Sequence, residues 1–183
     1  MTVLPRMPPE QTSSWLGILD LYEQLSEGWT LIGGQLVHLH FAERGTFPVR
    51  PTNDADTVID VRADPDILHT FTRTLEDLGF TSAGISAEGR QHRWVRDQAS
   101  IDVLLPEGIG ERASERQGVT GSPTLPTEGG TQATSSGLTD HTGLCSPSRR
   151  RCLPPQARAG RPMVASSSVE DKGVIAYVMG TGR

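Results

Sequence analysis

Three aspartates carry the most informative spacing in this chain. Asp54 and Asp56 stand two apart at the start of a β-branched run, and Asp102 lies within a later apolar run. Carboxylates are hard oxygen ligands, and such a set suits Mg²⁺, which is usually bound by a few carboxylates plus substrate phosphate. Strand residues two apart point to the same face, so Asp54 and Asp56 are expected side by side, their roots roughly 6–7 Å apart. Asp102, between Ile101 and Val103, is expected to project opposite to those core-facing neighbours. A neighbouring strand would bring it to the same cluster. Two ions held there, roughly 3.5–4 Å apart, would activate an attacking oxygen and stabilise a leaving pyrophosphate.

Gly33-Gly34 supplies the complementary half. Without a Cβ at either position a triphosphate can approach the backbone closely. A helix starting near Gln35 would direct its N–H groups and the positive end of its dipole at that charge. Other polar residues invite weaker readings. His38 and His40 cannot share an ion on a helix, where residues two apart diverge by some 200°, so one is expected to be packed or hydrogen-bonded. Asp60 reads as an exposed strand-end carboxylate. His92, Trp94 and Arg96 alternate onto one strand face, either to stack on a nucleotide or RNA or as a structural Trp with flanking surface charge.

The elements that must position these residues follow from periodicity and punctuation. Apolar residues recur at helical spacing over Ser14–Ser26, with Thr12 or Ser13 as N-cap, and Gly28 stops that helix. Trp29–Ile32 reads as a buried strand, Gln35–Glu43 as a second helix and Gly45–Asn53, with Pro48 and Pro51, as a loop. Ala55–Val61 alternates as a strand. A third helix is expected from Pro65, capped by Asp64 and closed by Gly79. Phe80–Ile85, Gln91–Arg96 and Ser100–Leu105 read as three more strands, the last two joined by a turn at Asp97–Ala99. The order implies an α/β (α+β) domain, a mixed sheet with flanking helices.

Strand, Gly33-Gly34, helix, Arg50-x-Thr52-x-Asp54-x-Asp56 and a later strand Asp102, in that order, resemble the nucleotidyltransferase superfamily of DNA polymerase β-like fold. The likeness is greatest to the minimal AbiEii-type nucleotidyltransferases that serve as toxins in bacterial toxin–antitoxin pairs, and it covers roughly Trp15–Leu105. It implies that Gly33 and Gly34 bind phosphate. Asp54, Asp56 and Asp102 would then hold Mg²⁺, with Asp102 also a candidate base. Arg50 and Thr52 would position the loop or the phosphates. The implied activity is transfer of a nucleoside monophosphate from an NTP to a hydroxyl acceptor, in some members the 3′ end of tRNA, and the implied partner is an antitoxin protein. Members continue past the third carboxylate into a helical region. Here Gly, Pro, Ser and Arg dominate instead, so the alternative is a non-catalytic nucleotide-binding domain or a truncated, inactive remnant.

Composition divides the chain at the same place. Residues 1–105 hold eight of nine aromatics and 15 acidic against 8 basic residues, whereas the remainder holds 7 against 9 and 12 of 20 glycines. A net charge of -5 excludes a globally basic nucleic-acid wrapper. The expected organisation is a flexible N-terminus over 1–12, a nucleotidyltransferase-like domain over 13–106, and a low-complexity, disordered tail over 107–183. In that tail only Gly173–Met179 has the pattern of a strand. From about Ala133 its composition matches a GC-rich frame read out of register. Cys145 and Cys152 lack further ligands and read as incidental thiols, and Arg149-Arg150-Arg151 as a charge run without specific use. No stretch is long and apolar enough for a bilayer, and Met1–Glu10 lacks a signal peptide's apolar segment, so a cytoplasmic location without membrane contact is expected.

Overall fold

The computed structural model describes residues 6–46, 48 and 50–135, together with the backbone of Thr2–Val3 and Ile175–Ala176. The first helix, α1 (Pro9–Gln24), begins several residues before the expected cap. Pro8 stands at the N-cap and Pro9 in the first turn, where the missing N–H has no helical partner to lose and the fixed φ suits the helix. The proposed flexible N-terminus over 1–12 therefore gives up its last four residues to a helix in which Gln11 is already buried.

Strand β2 (Trp29–Ile32) runs straight into helix α2 (Gly33–Glu43), two residues ahead of the expected start at Gln35. Gly33 adopts φ +68°. That left-handed value, readily available to glycine, redirects the chain from strand to helix with no linker. Strand β3 (Asp54–Ile59) follows the Pro-containing loop. Helix α3 (Ile67–Asp77) starts later than expected because Asp64 does not cap it: its carboxylate accepts the Asp66 N–H at 2.9 Å and closes a turn. At the far end the Gly79 N–H donates to Glu76 and the Phe80 N–H to Leu75, at 2.8 and 2.9 Å. With Gly79 at φ +84° this is a Schellman ending.

The sheet runs β2-β3-β6-β5-β4, with β4 (Thr81–Ser82), β5 (Arg93–Arg96) and β6 (Ala99–Pro106). Only β3 and β6 are parallel within this path; the other neighbours are antiparallel. Strand β4 is much shorter than the expected Phe80–Ile85, since pairing with β5 stops at Ser82. Helix α1 packs across β6 and β3. One sheet face, bearing Leu31, Ala55, Ile59, Trp94, Ile101, Val103 and Leu105, is buried with Trp15, Ile18 and Leu21 of α1 and Leu68, Phe71 and Leu75 of α3.

The ordered chain also passes the expected boundary at 106. A short helix α4 (Glu111–Ser114) leads to β7 (Leu125–Thr127), which joins the sheet parallel to β6, and α5 (Gly130–Ser135) lies over β2, β3 and β6. Isolated apolar residues in 107–135 form no period because they dock singly. Val119 packs against the core while its N–H donates to Thr72 Oγ1 at 2.8 Å, and buried Thr124 donates to the Val103 carbonyl. Outside this sheet, β1 (Thr2–Val3) pairs antiparallel with β8 (Ile175–Ala176), inside the Gly173–Met179 segment. The other expectations for 136–174 and 177–183, namely the disordered tail, its out-of-frame origin, the two thiols and the arginine run, lie outside the described residues. Among the described residues no helix is long and apolar enough to cross a membrane.

Candidate metal centre

The parallel register of β3 and β6 sets Asp56 directly beside Asp102, and Asp54 beside Ser100. Asp54, Asp56 and Asp102 each offer one carboxylate oxygen such that the three lie within 4.8 Å of one another. The sequence-derived trio is therefore one cluster, on the sheet face opposite the packed core. Its all-carboxylate donor set fits a hard divalent cation such as Mg²⁺.

Glycine is required at 33 and 34 for a reason internal to the protein. A Cβ on Gly33 would run into the Asp56 carboxylate, and one on Gly34 would lie 2.7–2.8 Å from the Thr52 side chain. Gly33 lets the start of α2 rest on the Asp56 carboxylate, and Gly34 lets it rest on the Thr52 side chain. Among the described residues no side chain caps that start, where Ile32 is the N-cap. Thr52 in turn donates its hydroxyl to Asp54 Oδ1 at 3.2 Å.

The loop carrying Arg50 and Thr52 is pinned through its carbonyl groups. His38, 7% exposed, bonds the Arg50 carbonyl through Nε2 at 2.9 Å. A carbonyl can only accept, so Nε2 carries the hydrogen and Nδ1 accepts from Gln11 Nε2 at 3.1 Å. Gln35 donates to the Thr52 carbonyl at 3.2 Å, and Ser14 Oγ to that of Asn53 at 2.6 Å. The packed histidine is thus His38, while the half-buried His40 pairs with Glu43 at 3.2 Å. The side chain of Arg50 is exposed and lines a cleft of about 680 Å³ that also contacts Gly34, Thr52, Asp54, Arg93 and Ser100.

Arg93 is the residue the sequence reading missed. Its Nε donates to Asp102 Oδ1 at 2.8 Å and its Nη2 to Asp102 Oδ2 at 2.7 Å, a two-pronged pair, while Nη2 also lies 3.4 Å from Asp54 Oδ2. Reading the β5–β6 turn as Asp97–Ala99 would place Trp94 opposite Asp102. The turn is instead the two residues Asp97 and Gln98, pairing Arg96 with Ala99 and hence Arg93 with Asp102. Asp97 takes φ +52°, which aspartate tolerates better than most residues. A one-residue slip of this kind exchanges the two faces of a strand. Trp94 consequently lies in the core, fully buried, and Arg96 bonds Asp20 at 2.8 Å and covers the Phe80 ring at 4.5 Å. The alternating His92, Trp94 and Arg96 therefore form no stacking surface, because the middle member is inside the protein.

Charge crowding is recorded on Asp56. Partial burial pushes its pKa from the ordinary 3.8 up to about 6, with further upward pressure from Asp54 and Asp102 and a smaller downward pull from Arg93. The same neighbours, Asp102 foremost, raise Arg93 above its ordinary value, so it is always cationic. Asp60, beyond the cluster, pairs with Arg62 at 3.4 Å. No family model, no curated protein and no solved structure matches this chain, so any functional reading rests on the arrangement just described.

Proposed function

We propose that this protein is a Mg²⁺-dependent nucleotidyltransferase that moves a nucleoside monophosphate from an NTP to a hydroxyl acceptor. The observation that carries the reading is the convergence of Asp54, Asp56 and Asp102 beside a glycine-led helix start, with Asp54 and Gly34 also lining an open cleft. Asp54, Asp56 and Asp102 would hold the cation, either as a single ion or as a bridged pair. Bound there, Mg²⁺ supplies Lewis-acid polarisation of the reacting phosphate and charge stabilisation of pyrophosphate. Gly33 and Gly34 present backbone N–H groups to the phosphates, and Arg50 and Thr52 orient them from the pinned loop. The bond formed joins the acceptor oxygen to the α-phosphorus, and the bond broken releases pyrophosphate. The acceptor proton passes to a carboxylate of the cluster, Asp102 in the assignment implied by the resemblance.

The acceptor in this reading is RNA, with the tRNA 3′ end as the first candidate, in a toxin role opposed by an antitoxin protein and exercised in the cytoplasm. Incubation with each α-labelled NTP, Mg²⁺ and total tRNA tests it. Label transfer that disappears in Asp54→Ala/Asp56→Ala supports the enzyme. A second reading, nucleotide binding without transfer, is favoured by one observation: Arg93 already engages both oxygens of Asp102. NTP binding with no transfer to any acceptor would favour it, and neither binding nor transfer would point to an inactive remnant.

A further inference from the structure

We propose that Arg93 is the site's own counter-cation, which a divalent ion must displace from Asp102 before the three carboxylates can act together. The proposal deepens the metal-dependent reading above and rests on it. Three carboxylates with oxygens inside 4.8 Å repel one another strongly unless a cation stands among them. Arg93 provides that cation from the neighbouring strand. Its planar fork spans both oxygens of Asp102, whose side chain is only 10% exposed, and the same Nη2 reaches Asp54. Carboxylate oxygens that accept two such bonds are poorly available to a second cation.

The guanidinium itself is not locked in place. Arg93 is 45% exposed and lines the cleft, so it can leave Asp102 without unpacking the core. On leaving, it can turn into that cleft, which Arg50 also lines. There the displaced fork faces the space in which the phosphates of an NTP would lie, and planar guanidinium groups bind phosphate well. Arg93 is therefore a positioning residue with two stations: on Asp102 when the metal is absent, and towards phosphate when it is present. The arrangement makes metal and nucleotide binding mutually favourable, since the ion frees the arginine that the nucleotide uses.

Direct binding of Mn²⁺ alone to the full chain, followed by the electron paramagnetic resonance signal of the free ion, tests the exchange without reference to activity. If Arg93 occupies Asp102 about nine-tenths of the time, the competent fraction is about one tenth, and Arg93→Ala should bind Mn²⁺ about tenfold more tightly than the parent. Metal-free Arg93→Ala should melt lower than the parent, and saturating Mn²⁺ should close the gap. Arg93→Lys keeps the charge but lacks the fork, so it should bind Mn²⁺ more tightly than the parent and less tightly than Arg93→Ala. It also provides the test if Arg93→Ala fails to fold. Equal or weaker Mn²⁺ binding by a folded Arg93 variant, with measurable binding by the parent, would overturn the exchange while leaving the metal site intact. Absence of binding by the parent and both variants would instead overturn the metal reading and the exchange together.

Discussion

The two faces of β3 and β6 are built from alternate residues of the same strands, yet they differ in almost every physical respect. On one face Ala55, Ile59, Ile101 and Val103 are completely buried under α1 and α3. On the other, Asp54 and Asp56 are partly exposed and Asp102 is held by Arg93. The apolar face gains from removal of surface from water. The acidic face concentrates charge that costs free energy in the absence of a cation. The core face is thus the source of stability, and it carries a second face whose arrangement is unfavourable for folding and suited to binding.

The largest expected effect falls on the acidic face. Asp54→Ala/Asp56→Ala should lower nucleotide transfer beyond the roughly 10–100-fold associated with loss of an outer-shell partner of a metal, while circular dichroism remains native. Unfolding of this variant would break the contrast between the faces.

The core face should respond in the opposite sense. Trp94→Ala should cost about 3–5 kcal/mol in urea unfolding. Among the described residues the indole Nε1 has no hydrogen-bond partner, so the expected loss is one of packing. A cost below about 1 kcal/mol would show that Trp94 is less important to the core than its burial implies.

Gly33→Ala tests the place where helix start and acidic face meet. The positive φ and the collision with Asp56 together should cost about 1–3 kcal/mol. Mn²⁺ binding should weaken alongside, because the displaced carboxylate is one of the three proposed to hold the ion.

The smallest effect sharpens the claim that the acidic face is unfavourable on its own. Asp56 holds its proton more tightly folded than unfolded, since its pKa rises from 3.8 to about 6. Its contribution to stability is therefore fully present below about pH 4 and lost as pH rises through about 6. Asp56→Asn should remove that decline. After allowance for partial exposure, it should make the metal-free protein about 1–2 kcal/mol more stable at pH 7–8. Thermal melts of both proteins across pH 4–8 in chelator would check the sign, and parallel curves would refute it.

Local rules served the sequence reading well where structure is local. The stop at Gly79, the strand Trp29–Ile32 and the same-face pairing of Asp54 with Asp56 depend on residues close in sequence. Errors collected where a distant partner decides. Residues 107–135 lack a period of their own, but β6 offers β7 an edge, and the core accepts Val119 singly. Helix α1 starts ahead of the expected cap because Pro8 and Pro9, whose fixed φ suits a first turn, begin it themselves.

What the sequence determined by itself is the inventory and parity of this site: three carboxylates on core-opposed positions and two glycines where a strand gives way to a helix. What only the tertiary structure decided is register. Parallel pairing of β3 with β6 places Asp56 beside Asp102, and a two-residue turn rather than a three-residue one sets Arg93, not Trp94, against Asp102. Parity is a property of one strand's backbone, whereas register is the choice between two strands that are free to slide until turn geometry and side-chain burial stop them.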